Sequence, residues 1–375
     1  MRAIVQTDFG PPEVLQSADL PELEPGPGEV RVRVAACGVN NLDTQLRRGD
    51  FRWRPPLPHI LGSEVAGWVD KWGPGTPWLE EGTPVAVSPW VGCGHCEPCR
   101  AGHIATCVNT GIIGVRRPGG YAEQVIVPAG GLVPLPEGVD PVSAAALSLA
   151  ALTAWHMLFT RARLKAGETV LVLAAGSGVG SAAVQLARHA GATVIATAGS
   201  DRKLEEAHEL GAHATINHYK ESIAARVHEL TGGRGVDVVV EHTGQATFAE
   251  SFASLAANGR LVTCGTLTGK DVELDLERLF ANQIEIIGSR GGTPGELARL
   301  LIPWLDKFKA EAVAVGGNIS RAFDLFGGPM RQAIADAGLN IRVEPSELGD
   351  NAQILGAARI IDDAYWEKVL ANMEK

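Results

Sequence analysis

Hydrophobic and polar positions along the chain change their period three times. Up to about residue 140 the apolar runs are short. Residues 29–35 (EVRVRVA) alternate strictly after the turn-forming PGPGE, and residues 65–69, 84–87 and 123–127 are further runs broken by Gly and Pro. Many short strands between turn signals predict a unit resembling a β-barrel. Pro141 opens an alanine-rich helical stretch to about residue 159, with little bulk to hold neighbours apart. From residue 169 strands and helices take turns. Strands are expected at 169–173, 193–197, 236–241, 260–264 and 284–288, with helices at 203–210, stopped by Gly211, and 223–231, stopped by Gly232. That alternation predicts an α/β fold class with a doubly wound parallel sheet. Beyond about residue 295 the pattern changes again. A helix at 296–308, a strand at 312–315, the turn Gly316-Gly317-Asn318-Ile319, a second helix, a strand near 340–343 and a final helix at 352–373 are expected.

The first strand of the parallel sheet carries the sharpest local signal. Residues 169–173 (TVLVL) are almost wholly apolar, as suits a strand buried on both faces. Gly176, Gly178 and Gly180 follow. A helix at 179–190 then places Val179, Ala183, Leu186, Ala187 and Ala190 on one face, with Gly191 to end it. A Gly-rich turn from strand to helix lets backbone N–H groups close on a pyrophosphate, and the helix dipole favours the anion. With a second strand beyond, the stretch reads as a dinucleotide site rather than a mere tight turn. Ala175, Gly176, Ser177, Gly178, Val179 and Gly180 are its candidate residues.

Composition narrows the partners. The 375 residues suffice for two or three domains, and 45% apolar with 20% charged content is ordinary for a globular chain. The net charge of −10 opposes nucleic acid or an acidic membrane as main partner. The opening MRAIVQTDFG has no apolar leader core and no run is long enough to cross a bilayer, so a cytoplasmic location is expected. Cys93, Cys96, Cys99 and Cys107 share one loop, a spacing that closes a tetrahedral, structural zinc site of four thiolates. An empty reduced loop is the alternative, and a disulfide is disfavoured in a reducing compartment. His95 and His103 read as bystanders, and Cys37 and Cys264 as small buried hydrophobes.

Six stretches occur together in order: Gly38-Val39-Asn40-Asn41-Leu42-Asp43, Gly62-Ser63-Glu64-Val65-Ala66-Gly67, the cysteine loop, Gly119-Gly120-Tyr121-Ala122-Glu123, Leu152-Thr153-Ala154-Trp155 and the glycine turn. Through them residues 1 to about 295 resemble the medium-chain dehydrogenase/reductase superfamily, which includes zinc alcohol dehydrogenases and quinone oxidoreductases. The resemblance implies a GroES-like domain at 1–150 and a Rossmann domain at 151–297, with hydride transfer to or from a small-molecule substrate in the cleft between them. It also implies that the family's catalytic zinc ligands fall on Asn40, Ser63 and Leu149. An amide, a hydroxyl and an isobutyl group make no zinc site. The chain is therefore expected to be similar to the quinone and enoyl reductase branch, with one structural zinc and none in the cleft. On that reading Asn40 donates to a developing oxyanion, Thr153 helps seat the nicotinamide, and Ser63 stands in a vacated ligand position. Asp43 and Glu64 match retained acidic positions, for which catalytic and structural hydrogen-bonding roles both stay open. A zinc alcohol dehydrogenase and a non-catalytic nucleotide-binding protein are the alternatives.

Cofactor choice is read at the end of the second parallel strand, where NAD sites usually carry an acid. Here Ala198 is followed by Gly199-Ser200-Asp201-Arg202-Lys203. The small residue leaves room for a 2′-phosphate, with Ser200, Arg202 and Lys203 to meet it. Asp201 opposes the phosphate unless it serves as a helix N-cap. NADPH is expected over NADH. Thr243-Gly244 and Cys264-Gly265, near later strand ends, complete the cofactor candidates. The resemblance also implies a homodimer joined through the free edge of the last strand, 284–288. Residues 298–375 depart from the family. Gly316-Gly317-Asn318-Ile319 and Leu348-Gly349-Asp350-Asn351-Ala352-Gln353-Ile354-Leu355-Gly356-Ala357-Ala358 resemble the C-terminal end of ROK-type sugar kinases and repressors, where the Gly-Gly turn lies against adenosine. No Asp-x-Gly-Gly-Thr phosphate turn, kinase catalytic aspartate or kinase zinc motif occurs upstream. A packing remnant is expected there, in place of a second nucleotide site.

Overall fold

The computed structural model describes residues 1–305, apart from Thr76, Thr110 and Glu137, together with two short strands beyond them. The first unit contains β1 (Arg2–Gln6), β2 (Leu15–Asp19), β3 (Glu29–Gly38), β4 (Glu64–Trp72), β5 (Pro84–Val87), β6 (Gln124–Pro128) and β7 (Leu132–Pro134). Strands β3 to β7 pair as an antiparallel sheet in the order β6-β3-β4-β5-β7, while β1 and β2 form a separate pair. The alternation read in the sequence is what buries Val30, Val32, Val65, Val69, Val125 and Val127 in one apolar cluster. Between β3 and β4 lies a helix, Asn41–Arg48, that the periodicity did not announce.

The second unit is a six-stranded sheet of β8 (Thr169–Val172), β9 (Thr193–Ala198), β10 (Ala214–Asn217), β11 (Val236–Glu241), β12 (Leu255–Thr263) and β13 (Glu285–Gly288). Every neighbouring pair is parallel, in the order β10-β9-β8-β11-β12-β13. This is the doubly wound 3-2-1-4-5-6 order, whose ligand crevice lies at the carboxyl ends of the strands where the order reverses. Val170 and Val172 enter one hydrophobic cluster and Leu171 and Leu173 the other. The strand reads as continuously apolar because helices cover both faces. Strand β10 was not expected. It is a four-residue edge strand in which only Ile216 and Asn217 are buried.

The alanine-rich stretch is not one helix but three pieces: Pro141–Ala145, Ala150–Trp155 and the wider-wound His156–Arg161. Its small side chains lie between the units. Ala144, Ala151 and Ala154 share a cluster with Ala66, Ala86 and Val133 on one side and Val172 and Val194 on the other. Leu297, Leu300 and Leu301, from the helix Pro294–Leu305, bury in the same cluster. That helix begins two residues before the expected 296, with Glu296 accepting from Thr293 N at 2.7 Å. Among the described residues no helix is long and apolar enough to cross a membrane. Strands β14 (Ala312–Val315) and β15 (Arg342–Pro345) pair in parallel, the second two residues later than expected. The turn at 316–319, the residues at 348–358 and the helix at 352–373 lie outside the described residues.

Candidate functional site

The glycine turn leaves β8 through Ala174, whose φ of +45° lies in the left-handed region. It is tied to β9 by Ala174 N donating to Thr197 Oγ1 at 3.2 Å and Ala175 N to Thr197 O at 2.8 Å. Ser177 caps the following helix, accepting from Gly180 N at 3.0 Å, so the helix starts at Gly178. A Cβ on Gly180 would stand 2.3 Å from Ala174 O, so only glycine lets the helix start against the strand end. Over Gly176 lies only the flexible stem of Lys203, 2.9 Å from where a Cβ would be. A bare backbone turn at a helix N-terminus, with Val179 and Ala175 behind it, fits a pyrophosphate.

The later strands bring their candidates to the same carboxyl edge. Glu241, at the end of β11 and fully buried, accepts from Thr243 N at 2.8 Å, Gly244 N at 3.0 Å and the hydroxyls of Thr243, Thr247 and Ser251. Those bonds engage both donors of Thr243 in holding the turn. Cys264 falls one residue past β12, and burial, with Glu241's charge, pushes its thiol up to about 12. Gly265 follows where a Cβ would meet His242 O at 2.4 Å.

At the end of β9 Ala198 is buried at 1% exposure, so the position facing outward is Gly199. Ser200 starts the helix Asp201–Glu209. Asp201 is therefore the first helical residue and not the N-cap, so the capping alternative for it does not hold. Its carboxylate is held by Lys220 Nζ at 2.8 and 2.9 Å and by Asn217 Nδ2 at 3.2 Å, which lower its pKa. Lys220 thus offsets the charge that would oppose a phosphate. Arg202 is engaged with Glu206 at 2.9 Å. Two residues absent from the sequence reading stand here, His218 and Tyr219. A Cβ on Gly199 would meet Tyr219 Cε2 at 2.4 Å and His218 Nε2 at 3.1 Å. Burial, with Lys203's charge, lowers the His218 pKa. Both follow β10, and without that strand the sequence offered no way to place them.

Of the catalytic candidates of the first unit, Asn40 reaches Glu64 directly. Its Oε2 accepts from Asn40 Nδ2 at 2.8 Å, and its Oε1 from Leu149 N at 3.1 Å and Ala150 N at 3.0 Å. Burial raises the carboxyl's pKa against these three donors. Glu64 thus joins β4 to the start of the helix carrying Thr153, whose hydroxyl donates to Leu149 O at 2.7 Å. Asp43 accepts from Asn40 N at 2.8 Å, closing the capping box of helix Asn41–Arg48, and from Gly62 N at 3.1 Å. Burial pushes its carboxyl up to about 6. Ser63 is 0% exposed and donates to Ile113 O at 2.7 Å. A hydroxyl so placed is spent on the protein interior.

The four loop thiols converge, with their sulfurs all within 4.8 Å of one another and Cys96 Sγ 3.8 Å from Cys107 Sγ. A tetrahedral site with Zn–S of about 2.3 Å needs sulfurs about 3.8 Å apart. N–H groups of His95 and Cys96 lower Cys93 to about 6, while burial and the neighbouring thiols raise Cys99 to about 12. A divalent cation is what lets all four ionise together, and the donor set fits zinc.

Known proteins bear on this geometry. The pattern described as zinc-binding dehydrogenase matches residues 178–307, and that of the alcohol dehydrogenase GroES-like domain matches residues 26–137. The chain is 33% identical to quinone oxidoreductase of Rattus norvegicus over 289 residues, 77% of this chain and 79% of that one. It is also 33% identical to an alcohol dehydrogenase of Geobacillus stearothermophilus over 303 residues, 80% of this chain and 88% of the other. Among solved structures it resembles an NAD-dependent alcohol dehydrogenase, with TM-score 0.79 and 38% identity over 89% of this chain and 97% of that one.

Proposed function

The chain belongs to the medium-chain dehydrogenase/reductase family of oxidoreductases, with a GroES-like domain and a Rossmann domain, and from that premise we propose that it reduces a quinone or an electron-poor C=C bond with NADPH and without a catalytic metal. The observation that carries this reading is the set of side chains around Glu64. By the family resemblance Asn40 and Leu149 occupy two zinc-ligand positions; here the Asn40 amide and the Leu149 N–H both donate to Glu64, and Ser63 donates its hydroxyl to Ile113 O. These groups offer no thiolate or imidazole to a metal. Bound NADPH would supply the hydride, so the protein's part is orientation and charge stabilisation.

One N–H of the Asn40 amide is held by Glu64, which fixes the amide plane and leaves the other for a substrate oxygen that gains charge during reduction. Thr153 already spends its proton on Leu149 O, so toward a carboxamide it acts as acceptor. The turn at residues 175–180 takes the pyrophosphate, with the Thr243-Gly244 and Cys264-Gly265 turns bordering the same edge. Ser200, Lys203, His218 and Tyr219 take the 2′-phosphate around Gly199, and Arg202 borders them. Cys93, Cys96, Cys99 and Cys107 hold one zinc that stiffens its loop. Residues 1–150 and 151–297 act as the two walls of the cleft.

We also propose a homodimer through the edge of β13, because β13 is the last strand of the sheet among the described residues, and Ile286 on it and Leu276 and Phe280 of the preceding helix are exposed. Only monomer in sedimentation at micromolar concentration would refute it. The main reading is tested by NADPH consumption with benzalacetone and 1,4-naphthoquinone, beside NADP+ reduction by primary and secondary alcohols. Fast alcohol oxidation that follows a second zinc per chain would overturn it.

A further inference from the structure

Three guanidinium groups, each beside an aromatic ring of one apolar cluster, have no carboxylate partner among the described residues. Arg290 follows β13 at the carboxyl edge of the parallel sheet, the same edge as the glycine turn. It reaches across to the first unit, donating from a terminal guanidinium N–H to Ala105 O at 2.9 Å and lying 5.0 Å from the Trp90 ring centroid. Arg116 lies 5.6 Å from the ring of Trp53, and Arg52 6.0 Å from that of Phe51. Those three aromatic rings belong to one apolar cluster with Leu42, the residue before Asp43 in helix Asn41–Arg48.

Burial and then the charges of Arg52 and Arg116 lower the Arg290 pKa, so Arg290 lies within the field of both. Arg52 and Arg116 are exposed, and none of the three enters an ion pair among the described residues. Trp90 is only 9% exposed, and its indole N–H has no acceptor there either. The chain carries a net charge of −10, yet among the described residues no carboxylate pairs with these three. Like charges brought together without a counter-charge cost free energy, and a ligand that supplies the opposite charge recovers it. A guanidinium stacked on a ring keeps its edge N–H groups free for a two-pronged grip on a carboxylate or phosphate.

We propose that the substrate carries an anionic group, a carboxylate or a phosphate monoester, at the end away from the bond reduced beside Asn40, and that Arg52, Arg116 and Arg290 hold this group beside the rings of Trp53 and Trp90. This rests on the reductase reading above and narrows it to acidic enones or quinones. The neighbouring aromatic rings favour a planar, apolar body between the two ends.

The test is calorimetric titration of the NADP+-loaded protein with three probes: 4-carboxybenzalacetone, its methyl ester, and the phosphate monoester of 4-hydroxybenzalacetone. Wild type, Arg52→Gln and Arg116→Gln are compared, and NADPH affinity is measured on each. At least one anionic probe should bind about tenfold or more tighter than the ester, and raising salt should erode that preference alone. Each variant should cut the preference severalfold while ester and NADPH affinities hold. Which anion wins separates carboxylate from phosphate. Equal binding of acid, phosphate and ester by wild type overturns the proposal. So does loss of NADPH affinity in the same variants, since the arginines would then serve the cofactor. Turnover of the neutral ester reads the reductase assignment separately: an anion preference in binding with no reduction of any probe would sink that assignment and leave the anion site standing.

Discussion

Exchanging the charge between Asn40 and Glu64 should reverse the sign of a mutation. Asn40 Nδ2 donates to Glu64 Oε2 at 2.8 Å, while Oε1 takes two backbone N–H groups. Asn40→Asp puts two carboxylates at that separation. Coulomb repulsion at an effective dielectric of about 20 would be about 6 kcal/mol. Binding one proton between them is cheaper: at pH 7, protonating a carboxyl of ordinary pKa costs about 4 kcal/mol. Protonation therefore wins and caps the penalty. Glu64 is 4% exposed and its pKa is already raised by burial, so the cost should be about 2–4 kcal/mol at pH 7. It should shrink by about 1.4 kcal/mol for each unit the pH falls below 7, because the folded variant then binds the proton the unfolded chain releases.

Glu64→Gln alone removes a charge-assisted acceptor and should cost about 1–3 kcal/mol. In the Asn40→Asp background the same change supplies an amide donor to the new carboxylate, leaving the amide oxygen for Leu149 and Ala150 N–H. There it should stabilise. The assay is the urea midpoint of the four proteins of this cycle at pH 7 and pH 5.5. If Glu64→Gln lowers the midpoint in both backgrounds, the pair is not bonded as described.

Three other outcomes follow from the site. Washed with chelator, the protein should retain one zinc per chain, and Cys99→Ser should lose it and melt at lower temperature; two zincs per chain would sink the metal-free cleft. Lys203→Met keeps the stem over Gly176 but removes the charge, so NADPH affinity should fall about tenfold, about 1.4 kcal/mol, with NADH binding changed less than twofold; an equal loss for both would show that Lys203 does not read the 2′-phosphate. Burial alone would raise Glu296, but hydrogen bonds from His156 and Thr160 carry it down to about 2 from an ordinary 4.5, so its stabilisation is full above pH 4.5 and is lost as pH falls toward 2. The urea-midpoint gap between wild type and Glu296→Gln should close over that window, and a gap that widens would contradict the assignment.

What the sequence disclosed was what local chemistry writes into adjacent positions. The run at 170–173 had to be apolar on every residue to face two helix layers, and Gly180 after it answers a contact with Ala174 O within the same turn. The four cysteines likewise close their cluster within one loop. Helix Asn41–Arg48 was legible in principle, because Asn40 and Asp43 stand three apart as a capping box, but the same residues also matched a chemical motif. Strand β10 was harder. As an edge strand it buries little, so it needs no apolar run, and missing it hid His218 and Tyr219 beside Gly199. Helix Gln245–Ala253 begins at Gly244 with φ +99° and no side-chain cap, so nothing marked its start.

The remaining features were illegible for a different reason: they are made by convergence of distant segments. Arg52, Arg116 and Arg290 sit in three separate connections, each beside its own aromatic ring, and their kinship exists only once β13 brings Arg290 against Trp90. Glu64 and Leu149 are 85 residues apart, yet the carboxylate meets the first N–H groups of the helix as a cap from another strand would. A family position can therefore keep its backbone while its chemistry changes. On the proposed reading Asn40 takes a zinc ligand's place, and Glu64 then gains a donor as a buried hub between the strand and the helix. Removing this acid would leave three donors unanswered at once, and on the same reading its bond to Asn40 fixes the amide that meets a substrate oxygen.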